Sequence, residues 1–179
     1  MKKILLSLAL TSAFFGNAQT LISENFEGAT FPPNGWTISS TVSSRPWQLT
    51  SSFPTSTSGF LISGTKSAGV DYIAQSNTAN LVSPSFTLVG ASNPVLKFKV
   101  KVGWSYMIDD DYGDLLAQIS TDGGSTWITL WDEDTEPGFT DDGDGNPDTD
   151  LYNTVSVEKS LSTYIGQSNV KIRFSYVAD

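Results

Sequence analysis

The sequence predicts an all-β fold, a jelly-roll β-sandwich, on three observations. Leu96, Phe98, Val100 and Val102 alternate with Lys97, Lys99 and Lys101, and Val170, Ile172, Phe174 and Tyr176 alternate with Lys171, Arg173 and Ser175. A period of two puts the apolar set on one sheet face and the polar set on the other. From Thr20 onward no window has the 3.6-residue period of an amphipathic helix, and Gly, Pro, Ser and Asn divide the chain at the short intervals of strands and turns.

Taken in order, the chain opens with Lys2 and Lys3, an apolar run from Ile4 to Phe15, and small residues at Gly16 and Ala18. This three-part pattern is that of a secretory signal peptide cleaved after Ala18. The run is shorter than the ~20 residues needed to span a bilayer, and no later segment is long enough. Residues 1–18 therefore read as leader and 19–179 as one domain, secreted or exposed at the cell surface. Further strands are expected near 20–26, 35–40, 68–76, 80–89, 113–121, 126–131 and 151–159. Pro32-Pro33-Asn34-Gly35 reverses the chain before the second of these. The Ser-, Thr- and Gly-rich stretch 51–65 reads as an edge loop, and 132–150 as a second long loop.

The segment Ser120-Thr121-Asp122-Gly123-Gly124-Ser125-Thr126-Trp127 lies between two expected strands, so its Asp-Gly-Gly centre predicts a β-hairpin. It also fits the Asp-box pattern S-x-D-x-G-x-T-W. Sialidases carry several such boxes around a propeller; a single one is a hairpin stabiliser.

Composition limits the chemistry. With no histidine and no cysteine among 179 residues, the chain has no Ser-His-Asp or Cys-His nucleophile system, no imidazole or thiolate metal site and no disulfide. What remains is carboxylate work. The formal charge of −9, which becomes −11 when the leader takes Lys2 and Lys3 with it, argues against nucleic acid and anionic membranes as partners.

Fourteen of the 19 acidic residues lie between Asp109 and Asp150. The densest run carries Asp142, Asp144, Asn146, Asp148 and Asp150 at alternate positions, a spacing that lets oxygens converge on a Ca²⁺ requiring six to eight of them. It is not an EF-hand, since Pro147 replaces the glycine of the sixth position and Asn153 the bidentate glutamate of the twelfth. Asp109-Asp110-Asp111 is a second acidic knot, read as a polar hairpin tip. Asp132-Glu133-Asp134-Thr135-Glu136 invites comparison with glycosidase carboxylate pairs, but contiguous acids point to both sides of a strand and do not share a cleft. No catalytic residue is assigned, and no enzyme activity is expected of these residues. Trp36, Trp47, Trp104, Trp127 and Trp131 are expected mostly in the core, with one or two available to stack on sugars. Lys97, Lys99 and Lys101 on an outer strand face serve solubility and discourage edge pairing.

Ser23-Glu24-Asn25-Phe26-Glu27-Gly28 followed by Phe31-Pro32-Pro33-Asn34-Gly35-Trp36 resembles the start of the cleaved-adhesin and choice-of-anchor J domains of Bacteroidetes surface proteins, related to gingipain adhesin domains. Asn80 to Phe86, the strand 95–102, Ile119 to Trp127, Tyr164 to Gln167 and Val170 to Tyr176 follow in the family's order. The resemblance implies a calcium-stabilised, galactose-binding-like jelly roll that serves outside the cell as a non-enzymatic adhesion module for a protein or glycan ligand. The chain is also similar to MAM domains, and that similarity implies Glu27 as a cation ligand, with Asp71 a looser candidate. Members of the family continue past the strand equivalent to 170–177 into a closing strand, so 19–179 is expected to lack it. Two alternative readings stand beside adhesion: an accessory domain of a secreted hydrolase such as a peptidase, and a carbohydrate-binding module.

Overall fold

The computed structural model describes residues 19–53, 60–103, 107–108, 111–139 and 153–178. Among them are nine strands: β1 (Thr37–Ser40), β2 (Gln48–Leu49), β3 (Ala68–Gly69), β4 (Asn77–Val82), β5 (Val95–Val100), β6 (Gly113–Ser120), β7 (Ile128–Asp132), β8 (Val155–Ser160) and β9 (Lys171–Ala178). Single 3₁₀ turns follow β2, β7 and β8. The class is all-β, as alternation requires.

One sheet has five strands in the order β1-β4-β9-β6-β7, every pair antiparallel. The pairs β5-β8 and β2-β3 face it. Register explains the core. Leu81 and Ala117 both lie opposite Phe174, Ala79 and Leu115 both lie opposite Tyr176, and Ile119 lies opposite Ile172. One face of the five-stranded sheet is thus continuous apolar surface. Val100, Val155 and Val157 of β5 and β8 pack on Ala117 and Trp131, while Trp47 and Ala68 near β2 and β3 pack on Ala79 and Leu81. Phe174 borders both groups and stands edge-on to Phe98 with centroids 5.2 Å apart. Its central place follows from its position in β9, the middle strand of the sheet.

Three local expectations change, and the first is that the strand expected over 68–76 shortens to Ala68–Gly69. Residues 20–26 are not a strand, because side chains capture the backbone: Glu24 Oε1 accepts from the N–H groups of Asn25 and Phe26, and Asn25 Oδ1 accepts from that of Glu27. Phe26 has φ of 60°, which no strand accommodates. The 80–89 strand begins earlier, at Asn77, and ends at Val82, after which only Phe86 bridges to Val170.

The β6–β7 hairpin forms as the turn chemistry predicts and carries one irregularity. Trp131 lies opposite Ala117 but Thr129 lies opposite Gln118, so Leu130 is an extra residue in β7. This bulge turns Trp131 into the core, where it is 2% exposed.

Candidate functional site

The hairpin organises charged groups at both of its ends. At the turn, Asp122 Oδ1 accepts from the N–H groups of Ser125 and Thr126, both at 2.9 Å, and from the Ser120 hydroxyl at 2.7 Å; Oδ2 accepts from the Thr126 hydroxyl at 2.7 Å. These bonds, that of the Thr126 hydroxyl foremost, hold the carboxyl far below its usual range. Gly123 and Gly124 have φ of 78° and 104°, and a side chain at Gly123 would strike Asn169, whose carbonyl accepts the Gly123 N–H. The Asp-box residues therefore build a turn and leave the carboxylate no spare chemistry.

At the hairpin's base the two acidic knots meet. Asp111 precedes β6, Asp114 is its second residue, and Asp134 lies in the 3₁₀ turn after β7 (Glu133–Thr135). Oxygens of these three carboxylates all lie within 4.8 Å of one another, and among the described residues this is the one group of three acids that close. Burial first, and then the charges of Asp132 and Asp111, raise the Asp134 pKa. Such mutual repulsion is what a hard cation relieves, and three carboxylates supply about half of the six to eight oxygens that Ca²⁺ takes.

Beside this cluster Glu133 is fully buried. Its Oε1 accepts the Leu115 N–H, while Oε2 has no hydrogen-bond partner. Burial, followed by the charges of Asp132 and Asp114, pushes its pKa up to about 8, so the group is neutral at pH 7. Next to it the Tyr176 pKa is raised to about 12, mainly by burial and then by Tyr72, Asp71 and Glu133.

The residues expected to hold calcium are placed as follows. Glu27 holds the 62–66 turn: Oε1 accepts the N–H groups of Thr65 and Lys66 at 2.7 and 3.0 Å, and Oε2 accepts the Thr65 hydroxyl. The Thr65 hydroxyl leads the causes that lower its pKa. Gly64 takes φ of 67° there, in the left-handed region that favours glycine. Asp71 is buried and lies 3.5 Å from Arg45 Nε. Asp142, Asp144, Asn146, Asp148 and Asp150 lie outside the described residues, as do Asp109 and Asp110. Asp111, Asp114 and Asp134 were not expected as one group. The signal was the hairpin itself, because Asp114 and Asp134 stand nearly equally far from its Gly123-Gly124 turn.

The tryptophans do not pair into a flat platform among the described residues. Trp47 and Trp131 are in the core, and Trp36 meets Phe26 edge-on at 66°. Trp127 lies under Arg173, whose guanidinium carbon is 4.4 Å from the ring centroid. No helix among the described residues is long and apolar enough to cross a membrane. No protein-family model, no curated protein and no solved structure matches the chain.

Proposed function

We propose that the chain is a non-enzymatic adhesion or binding module that acts outside the cell, with a jelly-roll topology and a structural Ca²⁺ at the acidic end of its sandwich. The observation that carries the reading is the convergence of Asp111, Asp114 and Asp134 at the base of the β6–β7 hairpin. A divalent cation there would tie the start of β6 to the turn after β7 and offset the repulsion among their carboxylates. The remaining oxygens would come from backbone carbonyls and water. Its role is structural, because the one carboxyl nearby with a pKa suited to proton transfer, Glu133, is fully buried. Secretion rests on the leader-like residues 1–18, and adhesion on the resemblance to the cleaved-adhesin and choice-of-anchor J domains.

The test is thermal melting of residues 19–179 in EDTA and then in millimolar Ca²⁺. A cation that binds only the folded state at a hundred times its dissociation constant stabilises by about 2.7 kcal/mol. D114N and D134N should abolish that rise, whereas E27Q should leave it intact. No rise in the parent protein, with no heat of binding by calorimetry, would remove calcium from the reading.

A further inference from the structure

The face of the five-stranded sheet turned away from the core carries a second assembly at the turn end of the hairpin. Arg173 lies on this face of β9, between Val82 of β4 and Gln118 of β6. Its Nε donates to Gln118 Oε1 at 2.8 Å and its Nη2 donates to the same oxygen. Gln118 is fixed in turn by donating from Nε2 to the Thr129 hydroxyl at 3.2 Å, and the guanidinium plane is held against Trp127. Of the five N–H groups of a guanidinium, Gln118 takes two, which leaves three at the Nη1/Nη2 end. No carboxylate among the described residues forms an ion pair with Arg173, although the protein carries nearly twice as many acids as bases. Two residues earlier on the same face, Lys171 runs its stem past Gly124, again with no ion pair among the described residues.

We infer that Arg173 is the receptor for a single carboxylate on a neutral, hydroxyl-rich ligand, that is, for an acidic sugar residue. The open end of the guanidinium offers two parallel N–H groups, which match the two oxygens of a carboxylate. Stacking and the Gln118 bonds hold the fork in place before the ligand arrives, so little side-chain freedom is lost on binding. The charge of −9 repels polyanions at long range and leaves an isolated carboxylate among uncharged groups as the favoured anion. The exposed Thr129 hydroxyl and the Lys171 ammonium stand ready for neighbouring sugar hydroxyls. This inference rests on the binding-module reading and names the ligand class for it.

The experiment titrates the Ca²⁺-supplemented protein with a glucuronic-acid-terminated oligosaccharide, its methyl ester and an acidic peptide, followed by calorimetry and tryptophan fluorescence. The free acid should bind about tenfold or more tightly than the ester, and R173Q should lose that margin, bringing the acid down to the level of the ester. R173K keeps the charge and the stem but not the fork, so it should fall between the two, and it guards against an R173Q chain that fails to fold. Equal affinity for acid and ester, unchanged binding by both variants, a peptide that binds as tightly as the sugar, or no binding of any probe would each overturn the assignment. These results are independent of the calcium melt: a protein that responds to Ca²⁺ and binds glycans equally well as R173Q keeps the module reading and loses the role of Arg173.

Discussion

The two ends of the β6–β7 hairpin hold carboxyl groups in opposite states. Asp122, at the turn, is surrounded by donors from its own segment and is held ionised to very low pH. Glu133, at the base, receives one N–H, is shut from water, and is held neutral up to about pH 8. The distance between them is one hairpin, so strand and fold are shared and only the immediate surroundings differ. Hydrogen bonds to the charged form decide the first case and desolvation decides the second. The comparison teaches that acid content alone says little about where charge resides in this protein: a carboxylate made safe by its turn needs no ion, while acids that cluster against one another invite one.

The largest expected effect breaks the base of the hairpin. W131A removes a core ring that packs edge-on to Phe98 at 5.2 Å and donates from Nε1 to Glu136 Oε2 at 2.9 Å. It should cost roughly 3–5 kcal/mol in denaturant unfolding. A loss below about 1 kcal/mol would mean that the base does not depend on this packing.

Next comes Glu133. Its folded pKa of about 8 lies above the ordinary value of 4.5, so the folded state binds more protons than the unfolded one between these pH values. Stability is therefore fully present below about pH 4.5 and is lost as pH rises toward 8, by an amount on the order of a few kcal/mol. E133Q in EDTA should flatten this decline and exceed the parent protein in stability at pH 8. A parent protein whose unfolding free energy does not fall between pH 5 and 8 would show that Glu133 is ionised in the fold.

Replacing Asp114 sharpens the contrast between the ends. D114N should remove the Ca²⁺-dependent gain of about 2.7 kcal/mol at saturating ion, whereas D122N should keep it whole. Equal loss in both would place the ion elsewhere.

The smallest effect belongs to Asp122 in the neutral range. Its lowered pKa contributes stability that is present above the ordinary value of 3.8 and lost as pH falls below it. D122A should therefore lower the melting temperature modestly at pH 7 and make it less dependent on pH in the acid range. An acid profile as steep as that of the parent protein would show that other carboxylates dominate there.

The all-β class, the strands through 95–100 and 171–178, and the hairpin around Gly123-Gly124 were legible because each is written in neighbouring residues: alternation at period two, and turn residues that tolerate positive φ. The short β2 strand was not, since two residues carry no period. The missing strand at 20–26 shows the reverse failure, in which local side chains of Glu24 and Asn25 outcompeted an apolar pattern for the backbone. At the candidate site, the acids of 109–111 and 132–136 were visible as separate knots, and their meeting was not, because it depends on the pairing of β6 with β7 and on the extra Leu130.

The sequence by itself determined which faces of the strands are apolar, how the Asp122 turn closes and how strongly acidic the chain is. Those properties follow from composition and from interactions within a few residues. Only the tertiary structure decided that Glu133 is buried and neutral, that one acid from each knot converges with Asp114, and that Arg173 lies on Trp127 with one edge open. Protonation and ligand geometry depend on desolvation and on contacts across strands, and the groups that supply them are brought together by register between segments far apart in the chain.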